Sequence, residues 1–221
     1  AVLAQLDRSL RPGLTLLDTT TGDPVQTPAL GARLAERGVN YLEVPISGSS
    51  EQTPRGRATA LGAGPPAAAQ RCTDLLECLV ARHFAGGDWG NGVRMKLVTN
   101  LVLGLNRAAL AEGLAFAESI GLAPAAALEV LLNCPAYSRT MDAKSPKMVA
   151  GEFTPQAKLS QHLKDVRIIL EEAARAGQPL PLSSVHRTLL EAAEQNGWGE
   201  LDNSVIIRAI AGAAHPLSDL S

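Results

Sequence analysis

From Gly90 to Gly121 the sequence runs without a proline and is rich in Ala and Leu, which favours one long α-helix. Asn91, between two glycines, opens it. Asn is a preferred N-cap because its side chain accepts a backbone N–H. At 3.6 residues per turn Gly92, Lys96 and Asn100 stack on one face as a bare backbone, an amine and an amide. Val98, Leu101, Leu105, Ala108 and Ala109 are then expected to turn into packing, with Met95 and Leu97 in a core or interface and Glu112 anchoring a neighbouring helix.

Residues 1–89 alternate short strands with helices. Strands are expected at Leu14–Asp18, Tyr41–Ile46, Ala58–Leu61 and His83–Ala85, and helices at Gln26–Arg37 and Pro65–Leu79, the latter with its prolines where a missing N–H costs nothing. This alternation predicts a mostly parallel sheet covered by helices, with ligands at the C-terminal ends of the strands, after Asp18 and after Ile46. From Gly90 onward the pattern is helical: Pro124–Leu132, then a connection from Pro135 to Met148, then Thr154–Ala176, Leu182–Gln195 and Asn203–Ala213. The fold class is thus α/β followed by all-α. A boundary near Gly90 without a flexible linker divides residues 1–89 from residues 90–221.

Composition narrows the function. A net charge of −2 gives no footprint for nucleic acid or an anionic membrane. No run approaches the roughly 20 apolar residues of a membrane span. Cys72, Cys78 and Cys134 are odd in number and lack metal-ligand spacing, as do the four histidines, so no metal is assigned. The first residues, Ala1-Val2-Leu3-Ala4-Gln5, lack the basic start of a signal peptide. With the unpaired thiols, this sets the expectation of a reducing cytoplasm.

Four motifs, in order, carry a resemblance. Asp18-Thr19-Thr20-Thr21-Gly22-Asp23-Pro24 looks like a D-x-S-T-x-x-P loop. Glu43-Val44-Pro45-Ile46-Ser47-Gly48-Ser49 looks like D-A-P-V-S-G-G. Gly90 to Asn100 fits G-x-G-x-x-x-K-x-x-x-N without a gap, and Lys164-Asp165 fits K-D-L with Val166 in place of Leu. Together they resemble the β-hydroxyacid dehydrogenase family, which includes 3-hydroxyisobutyrate dehydrogenase, tartronate semialdehyde reductase and glyoxylate/succinic semialdehyde reductase. Leu42-Glu43-Val44-Pro45 and Ser47-Gly48-Ser49 lean toward the last of these.

The resemblance implies a Rossmann-type nucleotide-binding domain followed by a helical domain led by a long helix. It also implies NAD or NADP as cofactor, and hydride transfer to or from a small hydroxy acid or semialdehyde. Lys96 would be the general acid/base, its pKa lowered by burial beside a cationic nicotinamide, and Asn100 would orient it or the substrate hydroxyl. Ser47, Gly48 and Ser49 would grip the substrate carboxylate. Thr20 and Thr21 would line the nicotinamide side, with Lys164 and Asp165 reaching the cofactor and His162 close by. A homodimer or homotetramer is expected.

The family's G-x-G-x-x-G fingerprint does not occur in this sequence. The chain is therefore expected to start inside the nucleotide-binding domain, short of about two βαβ units of roughly 30 residues each, and to bind dinucleotide poorly alone. Two rival readings stand beside this one. An imine reductase-like enzyme of the same fold typically replaces the lysine. A non-catalytic oligomerisation module would need no such residue.

Overall fold

The computed structural model describes Gln5, residues 9–48 and residues 58–212. They divide into two compact units, Ala1–Thr99 and Asn100–Ser221.

In the first unit, β1 (Thr15–Asp18) lies parallel to β2 (Asn40–Glu43), joined by helix α1 (Gln26–Glu36). The chain leaves α1 through Gly38, whose φ of 70° is one that a side chain would resist. Beyond Glu43 the expected strand Tyr41–Ile46 breaks in two. Pro45 has no N–H for a ladder, and the chain re-enters a sheet as β3 (Ile46–Ser47), antiparallel to β4 (Thr59–Gly62). β5 (Arg82–Ala85) then adds parallel to β4. A pair of hydrogen bonds exchanged by Glu43 and Ala63 ties the two short sheets together. The expected helix Pro65–Leu79 is likewise two, α2 (Pro66–Arg71) and α3 (Thr73–Leu79), broken at Cys72. Leu42, Val44, Ala60 and Leu76 build one core under this layer, and Leu34, Val39 and Tyr41 another.

The long helix α4 (Asn91–Ser119) is present, but its faces differ from expectation. Val98 is 57% exposed and Met95 51%; Ala109 and Glu112 are exposed too. The buried side of its first turns is carried by Val93, Lys96, Leu97 and Asn100. Lys96 and Asn100 thus turn inward beside Val93 and Leu97, while Met95 and Val98 face outward, a departure from ordinary amphipathic patterning.

The described part of the second unit is built of helices: the rest of α4, then α5 (Pro124–Leu132), α6 (Arg139–Ala150), α7 (Leu159–Arg175), α8 (Pro181–Ala193) and α9 (Ile206–Gly212). The stretch Pro135–Met148, expected as a connection, instead contains most of α6, with Pro146 inside it. Its buried residues Thr140, Met141, Lys144, Ser145 and Met148 keep helical spacing but are mostly polar, so no apolar stripe announces the helix. Ser145 Oγ donates to the Met141 carbonyl at 2.6 Å, just before the proline's missing donor. α7 begins at Leu159, five residues later than expected. α8 ends in a π turn, Glu194–Trp198, with Gly197 at φ 81°. Leu110, Leu114, Leu159, Leu163, Leu190 and Ile206 form the core.

Candidate functional site

Glu43 organises the start of α4. It sits at the end of β2, 1% exposed, and its carboxylate accepts three backbone N–H groups. Gly92 N donates to Oε1 at 2.5 Å, Val93 N to Oε1 at 3.3 Å and Gly90 N to Oε2 at 3.0 Å. An acid placed on these orphan donors satisfies them and complements the positive end of the helix. Burial pushes the Glu43 carboxyl above its usual range, against the pull of the three N–H bonds. Gly92 allows the approach: a Cβ there would lie 2.5 Å from the Leu61 carbonyl oxygen and 2.7 Å from Glu43 Oε1.

One turn on, Lys96 is 8% exposed, and Asn100 after it also 8%. Asn100 Nδ2 donates to Asp165 Oδ2 at 2.8 Å, which fixes the amide's orientation from α7. Asp165 is half-buried, whereas Lys164 beside it is exposed. His162, one turn earlier on α7, is buried against His186, ring centroids 5.2 Å apart.

At the end of β1, Asp18 folds its loop. Oδ1 accepts from Thr20 N at 3.0 Å and Thr20 Oγ1 at 2.7 Å, and Oδ2 accepts from Tyr41 Oη at 2.9 Å. Burial, then Asp18, drives the Tyr41 phenol far up and keeps it protonated. With its carboxylate so engaged, the loop turns neutral groups outward: Thr20 exposed and Thr21 half-buried.

Ser47 closes β3 and is half-buried, and Gly48 is exposed; Ser49 lies outside the described residues. Ser47 lines a cavity of about 770 Å³ in the first unit, walled by Leu61, Phe84, Met95 and Val98 and also lined by Gly92. Lys96 is not in that lining. The structure thus pairs Asn100 with Asp165 and brings Ser47 and Gly92 to one cavity. Among the described residues no group of three His, Cys, Asp or Glu could hold a metal ion, and no helix is long and apolar enough to cross a membrane.

Glu43 and Asp18 are the residues to which sequence reasoning gave no task. For Glu43 the signal was present: an acid set among Tyr41, Leu42 and Val44, two residues before Pro45.

Residues 90–210 match the family described as the NAD-binding domain of NADP-dependent 3-hydroxyisobutyrate dehydrogenase, and residues 1–87 the NAD binding domain of 6-phosphogluconate dehydrogenase. The chain is 29% identical to L-threonate dehydrogenase of Cupriavidus necator, over 94% of this chain and 70% of that protein. It is 31% identical to the cytokine-like nuclear factor N-PAC of Aedes aegypti, over 88% of this chain and 35% of that one. It superposes on the crystal structure of a 3-hydroxyisobutyrate dehydrogenase from Salmonella typhimurium with a TM-score of 0.85 at 25% identity, covering 93% of this chain and 75% of that one. With its α/β part followed by an all-helical part, the chain belongs to the β-hydroxyacid dehydrogenase family of NAD(P)-dependent oxidoreductases.

Proposed function

We propose that this chain works in an NAD(P)-dependent dehydrogenase that interconverts a small hydroxy acid and its semialdehyde or keto form, with Lys96 as general acid/base. The observation that carries this reading is the burial of Lys96 on a helix that presents a fixed amide one turn later. Lysines are rarely this buried, and Lys96 shares its helix face with Gly92 and Asn100, which are buried too.

When bound, the nicotinamide supplies or accepts the hydride. In the reducing direction the Lys96 amine donates a hydrogen bond to the substrate carbonyl oxygen, stabilises the developing alkoxide and passes its proton to that oxygen. In the oxidising direction it takes the hydroxyl proton back. Asn100, held by Asp165, orients the reacting oxygen, so Asp165 is a positioning residue. Ser47, Gly48 and Ser49 take the substrate carboxylate through a hydroxyl and backbone N–H groups. Thr20 and Thr21 would hold the nicotinamide side of a bound cofactor, and Lys164, exposed on α7, would bind it too. The working assembly is a homodimer or homotetramer in the cytoplasm.

A non-catalytic assembly module is the competing reading, favoured by the likeness to a protein named as a nuclear factor. It has no use for a buried Lys96, and one experiment separates the two. Oxidation of NADH and NADPH is followed with glyoxylate, succinic semialdehyde and tartronate semialdehyde, using the protein that carries this chain and its Lys96→Ala variant. The expected loss of kcat is on the order of 10²-fold or more. Equal turnover in the two proteins removes the assignment.

A further inference from the structure

Away from Lys96, the helical unit buries two cations against one carboxylate. Arg107 on α4 is 4% exposed, Lys144 on α6 is 8% exposed and Asp202, beside the 3₁₀ turn Asn203–Val205, is fully buried. Asp202 has nothing left to offer the arginine. Its Oδ1 accepts from Lys144 Nζ at 2.9 Å, Ser204 N at 3.1 Å and Ser204 Oγ at 2.7 Å. Its Oδ2 accepts from Lys144 Nζ at 2.9 Å, Gln156 N at 3.0 Å and Ala157 N at 3.2 Å. Six donor contacts exceed the roughly four lone-pair positions of a carboxylate.

Arg107 is close enough to feel the charge of Asp202 and to act on Lys144 and His186. Even so, its Nε and Nη2 are sealed from solvent and have no hydrogen-bond partner among the described residues. His186 Nε2 and Thr140 Oγ1 are orphaned in the same way. Burial pulls the guanidinium down to about 10, still well above neutral pH, so the site keeps its positive charge. Uncompensated buried charge and unmade hydrogen bonds are the two costliest features a core can hold. A carbonyl would answer the donors and leave the charge. An acceptor-only particle with one negative charge answers both, and a monoatomic one needs the room of about one water.

We propose that the helical unit holds a buried monovalent halide at the Nε–Nη2 edge of Arg107. This inference is independent of the role given to Lys96. The anion brings the buried charge of Arg107, Lys144 and Asp202 to zero and occupies guanidinium donors that no group among the described residues reaches.

The test is thermal unfolding of the whole chain as sodium bromide replaces sodium gluconate at constant ionic strength. The wild type is expected to gain about 3 °C in Tm and then saturate, and Arg107→Met to gain nothing. A flat response in the wild type, or an equal gain in both proteins, overturns the proposal. Should Arg107→Met fail to fold, wild-type crystals grown in bromide decide the matter. An anomalous peak within hydrogen-bonding distance of Arg107 Nε or Nη2 supports the site. An ordered water there, or bromide only at the surface, overturns it.

Discussion

Glu43 grips the long helix through Gly92, whose N–H reaches the Glu43 carboxylate at 2.5 Å. Truncating that acid leaves the N–H groups of Gly90, Gly92 and Val93 without an acceptor in a buried place. Glu43→Ala should therefore cost about 3 kcal/mol or more, read from the urea midpoint at unchanged m-value. A loss below about 0.5 kcal/mol would show that water replaces the carboxylate.

Gly92→Ala should also destabilise, against the usual rule. In an open helix the change gains up to about 1 kcal/mol. Here the new Cβ meets the backbone oxygen of Leu61 and the Glu43 carboxylate, and a loss of about 2 kcal/mol is expected from the overpacking. Gly113→Ala is the control: nothing lies within 4 Å of its Cβ, so its melting temperature should stay level or rise.

Asp165 is expected to act on turnover through Asn100. Asp165→Ala frees an amide that is now fixed at 2.8 Å. Loss of that orientation is expected to reduce kcat on the order of 10²-fold, with KM moved far less and with unfolding little changed. A variant that lost stability and kept kcat would place Asp165 among structural residues only.

His186 should make the helical unit sensitive to mild acid. Burial first, and Arg107 second, hold its folded pKa at about 4, below the usual value of 6.5. As pH falls through 6.5 the unfolded chain takes up a proton that the folded chain refuses until about pH 4. Stability is thus complete above 6.5 and drains away between 6.5 and 4, by as much as about 3 kcal/mol. His186→Phe removes the titrating group and should flatten that slope in denaturant titrations at pH 4 to 7. An unchanged slope would assign it elsewhere.

The sequence made the α/β-to-helical change and the long helix plain, because proline-free Ala- and Leu-rich runs and Gly or Pro breaks act locally. It also put Lys96 and Asn100 on one helix, since their spacing is set by the helical repeat. It hid α6, whose buried face carries Thr140, Lys144 and Ser145 and so reads as a loop. It hid the outward turn of Val98 and Met95 too, because hydrophobicity alone says that such residues go inside. The partners Glu43 with Gly92, 49 residues apart, and Asn100 with Asp165, 65 apart, are joined only by the fold. No local pattern encodes pairings at such separations.

The crowding of donors on Asp202 has a mechanical side. One side chain fastens α6, the segment entering α7 and the turn before α9, which enter the chain 58, 46 and 2 residues from it. A clasp of that kind closes only when all its strands have arrived. The C-terminal half should therefore come apart as one piece, with no fraying path that releases α6 while α7 and α9 stay seated.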